Sequence, residues 1–320
     1  MANVKRVTIS YREDAVGGAV RAQPILSDPS SIEQAQHLVL LIHGYNNDTQ
    51  AAKDAYEGFH ARQRDLDADA RYADGRTFIE VYWPGDAAWG FASFLFYMGS
   101  IKRAIQTAER LADYLATHIV NAARIDIVAH SMGCRLSLEL LRALENQPVA
   151  ARSSTLGIAR IVFMAAAVPT FMLEQRSSPH RLRPAYDKTL REGARSLYSA
   201  SDRVLGWAFP AGQSLASGDE GRLPVALGHA QWTDVTTPVN LGQSENPNAG
   251  HSDYWGWNTA PKALQCASKA ANEVRDYLQF PSAGSRKTEE RLTVESSELE
   301  SRSIQPAREI IARNMSSYTT

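Results

Sequence analysis

Residues 124–133 read RIDIVAHSMG, and the fold turns on them. The first six are a short run dominated by β-branched and apolar residues with no turn former, which predicts a strand buried on both faces. Behind it Met132, Leu136, Leu140 and Leu144 recur every fourth position, the spacing of one apolar helix face. Only the string Ala129-His130-Ser131-Met132-Gly133 remains to make the turn between them. A serine there, with small residues two before and two after it, predicts a sharp strand-to-helix turn. Such a turn strains the serine backbone and presents its Oγ above the sheet edge. The helix behind Ser131 aims N–H groups and its positive end at any negative charge that develops there. The bland alternative is a serine that merely caps a crossover helix.

Working outward, strand-like runs alternate with helical periodicity, the pattern of a mostly parallel sheet covered on both faces. Residues 37–43 (HLVLLIH) and 77–83 (TFIEVYW) read as strands, the second stopped by Pro84-Gly85. Ala52, Ala55, Tyr56 and Phe59 follow the first at helical spacing behind an Asp48 or Thr49 cap. Ile101, Ile105, Ala108, Ala112, Leu115 and Ile119 trace a helix after the second. Further runs lie at 160–168 and 195–200, and 231–237 is read as the last strand. Leu264, Ala267, Ala271, Val274 and Leu278 then form a terminal helix behind Pro261. Residues 4–11 alternate and are read as an antiparallel edge. These signals divide the chain into an edge region over 1–36, a main domain over 37–280 and a polar tail over 281–320, mobile or docked as an appendage helix.

The chain has 320 residues, a formal net charge of -1, and is 44% hydrophobic and 22% charged. That composition fits a globular chain long enough for one large core. Near-neutral charge argues against a dedicated nucleic-acid binder. Two cysteines, Cys134 and Cys266, exclude a disulfide framework or a cysteine-rich zinc module. Cys134, three residues past Ser131, reads as a buried packing thiol. The N-terminus lacks an apolar signal core, so the expectation is a soluble, reduced, cytoplasmic protein. The most apolar run, residues 89–98 (WGFASFLFYM), is too short to span a bilayer and reads as core or as a lid over a cleft.

If Ser131 is a nucleophile it needs a base, an acid and donors for an oxyanion. His251, in the turn-rich GHSDYW at 250–255, is the base preferred over His229, because a base must hang from a loop beyond the last strand. Asp202 ends the run SASD at 199–202 and is the acid, with Glu192 and Asp234 as fallbacks. The order Ser131, Asp202, His251 is that of one hydrolase arrangement and of neither the chymotrypsin nor the subtilisin one. The Leu41-Ile42-His43-Gly44-Tyr45 turn supplies a second N–H, so Tyr45 and Met132 are the oxyanion donors. Phe94 and Phe96, with Tyr254 and Trp255, are read as apolar walls for substrate, packing against the last helix being the equal alternative for Tyr254 and Trp255; Asn46 and Asn47 satisfy the turn itself.

Taken together, HGYN at 43–46, VYWPG at 81–85, AHSMG, SASD and GHSDYW resemble the α/β-hydrolase-fold serine hydrolases, in a bacterial esterase- and lipase-like branch, over about residues 37–280. The resemblance implies a mostly parallel eight-stranded sheet, no metal, no organic cofactor, and ester or related acyl hydrolysis. Ala129, where such proteins usually carry glycine, departs from the pattern. The expected partner is an uncharged ester. Acyl transfer by the same residues and a non-catalytic binding module are the rival readings, and the oligomeric state is left open.

Overall fold

The computed structural model describes residues 4–13, 18–45, 47–67, 71–86, 94–119, 121–147, 157–175, 181–210 and 224–280. Side chains of 94–98 and the whole of 281–320 fall outside the described residues, as do residues 89–93. Eight strands form one sheet in the order β2-β1-β4-β3-β5-β6-β7-β8. They are β1 (Lys5–Arg12), β2 (Val20–Leu26), β3 (His37–Ile42), β4 (Thr77–Tyr82), β5 (Arg124–His130), β6 (Ile158–Met164), β7 (Leu190–Tyr198) and β8 (Leu241–Glu245). Every neighbouring pair is parallel except β1 with β2.

Alternation along the central strands splits their side chains between two cores. Leu38, Leu40 and Ile42 of β3 and Ile127 and Ala129 of β5 face a cluster shared with α3 (Phe94–His118) and α4 (Met132–Asn146). Val39, Leu41 and Val128 face the other way, against α2 (Thr49–Leu66) and the terminal helix α6 (Pro261–Leu278). Because both faces are covered, β3 is an unbroken apolar run rather than an alternating one. Two shorter helices, α1 (Pro29–Glu33) and α5 (Arg183–Thr189), complete the set. Asp48 caps α2 by accepting from the Ala51 N–H at 2.7 Å, and Pro261 opens α6.

Three sequence expectations are corrected. Residues 4–11 do not make an edge: β1 lies inside the sheet, parallel to β4, and β2 is the antiparallel edge. Residues 231–237 are not a strand but a turn, in which Asp234 accepts from the Thr236 N–H at 2.8 Å. The last strand is β8, which adds in parallel to β7. No described helix is long and apolar enough to cross a membrane.

Candidate active site

The carboxyl ends of β3, β5, β7 and β8 converge. β5 ends at His130, Ser131 makes the turn, and α4 starts at Met132. Ser131 has φ 55° and ψ −124°, a positive-φ backbone that a side chain tolerates only where its surroundings hold it. Those surroundings are specific. The Ser131 N–H donates to Met164 O at 2.9 Å, and its carbonyl accepts from the Cys134 and Ala167 N–H groups at 3.1 and 3.2 Å. Ser131 occupies the cap position of α4 yet makes no side-chain capping bond, so capping does not account for it.

Gly133 is glycine for a steric reason. A Cβ there would lie 2.5 Å from His43 O and 2.6 Å from Ile42 O, so any side chain would force β3 away from α4. Gly44 is constrained likewise: a Cβ would sit 2.8 Å from Ser131 Cβ and 2.9 Å from His130 Nδ1. The turn after β3 thus presses its backbone against the serine, and Tyr45 follows at once. Met132, the first residue of α4, has an N–H with no partner inside its own helix.

His251 covers Ser131. Its Nε2 lies 2.8 Å from Ser131 Oγ and its Nδ1 lies 2.8 Å from Asp202 Oδ2. Asp202 is fully buried, and its carboxylate can only accept, so the shared proton belongs to Nδ1 and a bare Nε2 accepts from the serine hydroxyl. Asp202 Oδ1 accepts the Leu205 N–H at 3.0 Å, which fixes the carboxylate plane. The acid and base loops are tied together directly, Ser199 Oγ donating to Ala249 O at 2.8 Å. Asp253 accepts the Gly250 N–H at 2.8 Å and shapes the turn that carries His251. Ser131 itself is only 4% exposed, against the expectation of an Oγ standing clear of the sheet, because the imidazole lies over it.

The other candidates sort by position. Glu192 binds Arg124 and Arg160 at the opposite end of the sheet, and Asp234 is spent on its own turn. His229 packs against Gly206, in the helical turn after Asp202. Tyr254 and Trp255, expected to wall the cleft, are each 2% exposed. Trp255 meets Tyr56 and Phe59 of α2 edge-on, with centroids 5.7 and 6.0 Å apart, so the GHSDYW turn uses it to anchor the base loop in the core. The expectation for Phe94 and Phe96 lies outside the described side chains. Cys134 is buried, its Sγ donating to Ala129 O at 3.3 Å, and burial pushes the thiol pKa up.

Three residues escaped the sequence reading. His43 stacks on Trp83 at 5.6 Å and accepts the Trp83 N–H on Nε2 at 3.3 Å, joining the end of β3 to that of β4. Burial pushes its pKa down to about 3. Arg12, at the end of β1, donates to Asn47 O at 2.8 Å and Trp83 O at 3.1 Å, and pairs with Asp86 at 2.8 Å. It thereby braces the turn that carries Tyr45. His130 donates to the main chain of the base loop. The pairing of HGYN with VYWPG was the available signal for His43; His130 acts on a main-chain carbonyl, and Arg12 on two carbonyls and the distant Asp86, and neither left a pattern. Among the described residues no three His, Cys, Asp or Glu side chains gather as metal ligands.

A parallel sheet crossed by a strained serine turn after β5, with an aspartate after β7 and a histidine after β8, defines the α/β-hydrolase fold. Residues 21–205, more than half of the chain, match the family described as alpha/beta hydrolase of unknown function (DUF900), and the chain belongs to that family. No curated protein matches it. Among solved structures it is similar to the esterase domain of a Rhodothermus marinus protein, at 9% identity over 76% of this chain and 88% of that one, with a TM-score of 0.35. It is similar to an esterase of Pyrobaculum calidifontis at 11% identity over 78% of both chains, TM-score 0.38. A thioesterase of the prodiginine biosynthetic pathway in Streptomyces coelicolor shares 13% identity over 77% of this chain and 92% of its own, TM-score 0.37. Likeness at this level says nothing of substrate.

Proposed function

We propose that the protein is a serine hydrolase that cleaves an uncharged carboxylic ester through an acyl-enzyme. The observation that carries this reading is the unbroken chain from Ser131 Oγ through both nitrogens of His251 to Asp202, each link 2.8 Å. The Ser131 hydroxyl passes its proton to His251 Nε2 as Oγ attacks the ester carbonyl, and Asp202 stabilises the imidazolium that forms. The N–H groups of Met132 and Tyr45 hold the oxyanion, each such donor contributing about 3 kcal/mol to the transition state. The imidazolium returns its proton to the departing alkoxide. Water, deprotonated by the same Nε2, then releases the acid and regenerates the serine.

Fluorophosphonate labelling tests the reading before any substrate is known. Expected is one adduct on Ser131, absent from Ser131→Ala and slowed by orders of magnitude in His251→Ala. A folded wild-type protein left unlabelled would sink it and leave the binding-module reading.

A further inference from the structure

His130 precedes the serine, and its ring reaches 121 positions along the chain. Its Nε2 lies 2.7 Å from the main-chain carbonyl oxygen of His251, with the two imidazoles 5.0 Å apart. A carbonyl cannot donate, so Nε2 carries the proton and Nδ1 is bare. That bare nitrogen is buried without a hydrogen-bond partner among the described residues, and a Cβ on Gly44 would lie only 2.9 Å from it. The ring is also held by Tyr254 and Trp255, at 6.0 and 6.1 Å between centroids. One side chain thus meets three segments: the serine turn that carries it, the oxyanion turn at Gly44, and the loop that carries the base.

We infer that His130 is a positioning residue that sets the height of the His251 imidazole over Ser131 by anchoring the base's own main-chain carbonyl. The inference rests on the serine-hydrolase reading above for its kinetic consequence. The loop that carries His251 is also tied by Ser199 on Ala249 O and by the Asp253 turn, but among the described residues His130 is the side chain that bonds the main-chain carbonyl of His251 itself, and a charge-free N–H···O bond from a buried ring restricts that residue sharply. A tightly packed apolar ring would fill the space but release the carbonyl. Displacement of the base by even part of an ångström weakens proton transfer more than substrate binding. A glutamine can replace the anchor, because its amide N–H reaches about where an imidazole Nε2–H does. A packing role makes a different forecast: phenylalanine, which keeps the ring and loses the donor, would then serve as well as glutamine or better.

The experiment compares wild type, His130→Phe and His130→Gln by three measurements. The first is the fluorophosphonate labelling rate together with kcat and KM on an aryl ester. The second is the downfield proton resonance of the His251 Nδ1–H bonded to Asp202. The third is the thermal midpoint. Expected for His130→Phe is a loss of about 10- to 100-fold in labelling rate and kcat, with KM within twofold and the resonance broadened by solvent exchange. His130→Gln should recover most of the rate and restore the resonance at whatever thermal midpoint it has. A His130→Phe protein with wild-type rate and an intact resonance overturns the inference. So does nitrogen NMR on the wild type finding His130 protonated on Nδ1, which decides the matter even if His130→Phe does not fold. A wild type silent to fluorophosphonate would defeat the hydrolase reading alone, since the resonance still reports whether His130 holds the base.

Discussion

Two histidine–aspartate pairs stand at opposite ends of the same sheet and look alike in isolation. His251 meets Asp202 and His37 meets Asp126, both at 2.8 Å; both aspartates are fully buried and the histidines are 16% and 15% exposed. They part at the next atom. His251 gives Nδ1 to its carboxylate and keeps Nε2 for Ser131, whereas His37 gives Nε2. Asp126 also accepts Arg124 Nε on the same oxygen at 2.9 Å and the Arg160 N–H on the other at 3.1 Å. Its charge is shared with a guanidinium, so less of it is available to an imidazolium. The amino end thereby ties β3, β5 and β6 together, while the carboxyl end, where parallel strands deliver their loops, presents the Ser131 hydroxyl to His251. A histidine–aspartate contact is therefore no mark of catalysis until the ring nitrogen, the third partner and the end of the sheet are known.

The largest effect that would test this contrast is kinetic. His251→Ala should lower kcat on an aryl ester by about 10⁴-fold or more, and adding Ser131→Ala should cost little further because the residues act as a unit. His37→Ala should keep kcat within about twofold and lower the melting temperature instead. Equal kinetic damage from the two would erase the distinction.

Exchanging the aspartates should invert the result. Asp202→Asn should damage turnover, about 10²- to 10⁴-fold, through loss of the imidazole orientation, with stability little changed. Asp126→Asn should leave turnover near wild type and cost about 2–3 kcal/mol in urea unfolding, since it weakens three charge-assisted bonds inside the sheet. Steady-state rates and urea midpoints measured on both variants decide it.

The last effect is small near neutral pH and grows in acid. His43 and His130 belong to the carboxyl end, and burial pushes each pKa from about 6.5 down to about 3. Unfolded, each binds a proton over that interval and, folded, neither does. Stability should therefore fall as pH drops from 6.5 toward 3, by about 1.4 kcal/mol per pH unit for each. His43→Asn should remove one proton's share of that slope; urea midpoints at pH 7, 5 and 4 that give the same slope in both proteins would contradict it.

The serine turn was legible in sequence because it joins two strong periodic signals, β5 and α4, at a string with one tolerable spelling. β8 was not. Its sequence, LGQSE, is half exposed at a sheet edge and carries almost no apolar signal, while 231–237 is rich in the strand formers Trp, Val and Thr but folds back through Asp234. β2 hid for a related reason: Pro24 within it suits only an edge. His251 was nonetheless placed correctly relative to the last strand, since moving that strand from 231–237 to Leu241–Glu245 keeps it ahead of the histidine. Tyr254 and Trp255 stayed open between cleft and core in the sequence, because an aromatic beside the His251 loop looks the same whether it faces a cleft or α2. His130 was invisible because a main-chain carbonyl offers no side chain to recognise, and Arg12 because its one carboxylate partner, Asp86, lies 74 positions away.

The positive φ at Ser131 carries a consequence for the history of such chains. A backbone held at 55° suits glycine, and holding a side chain there costs on the order of 1–3 kcal/mol. The codon that supplies the hydroxyl is thus one at which stability and chemistry pull in opposite directions. A copy of this chain freed from selection for turnover has a downhill step at that position, toward a sturdier protein that does nothing. If Ser131 is the nucleophile proposed above, a hydroxyl at this positive-φ position serves turnover and not folding.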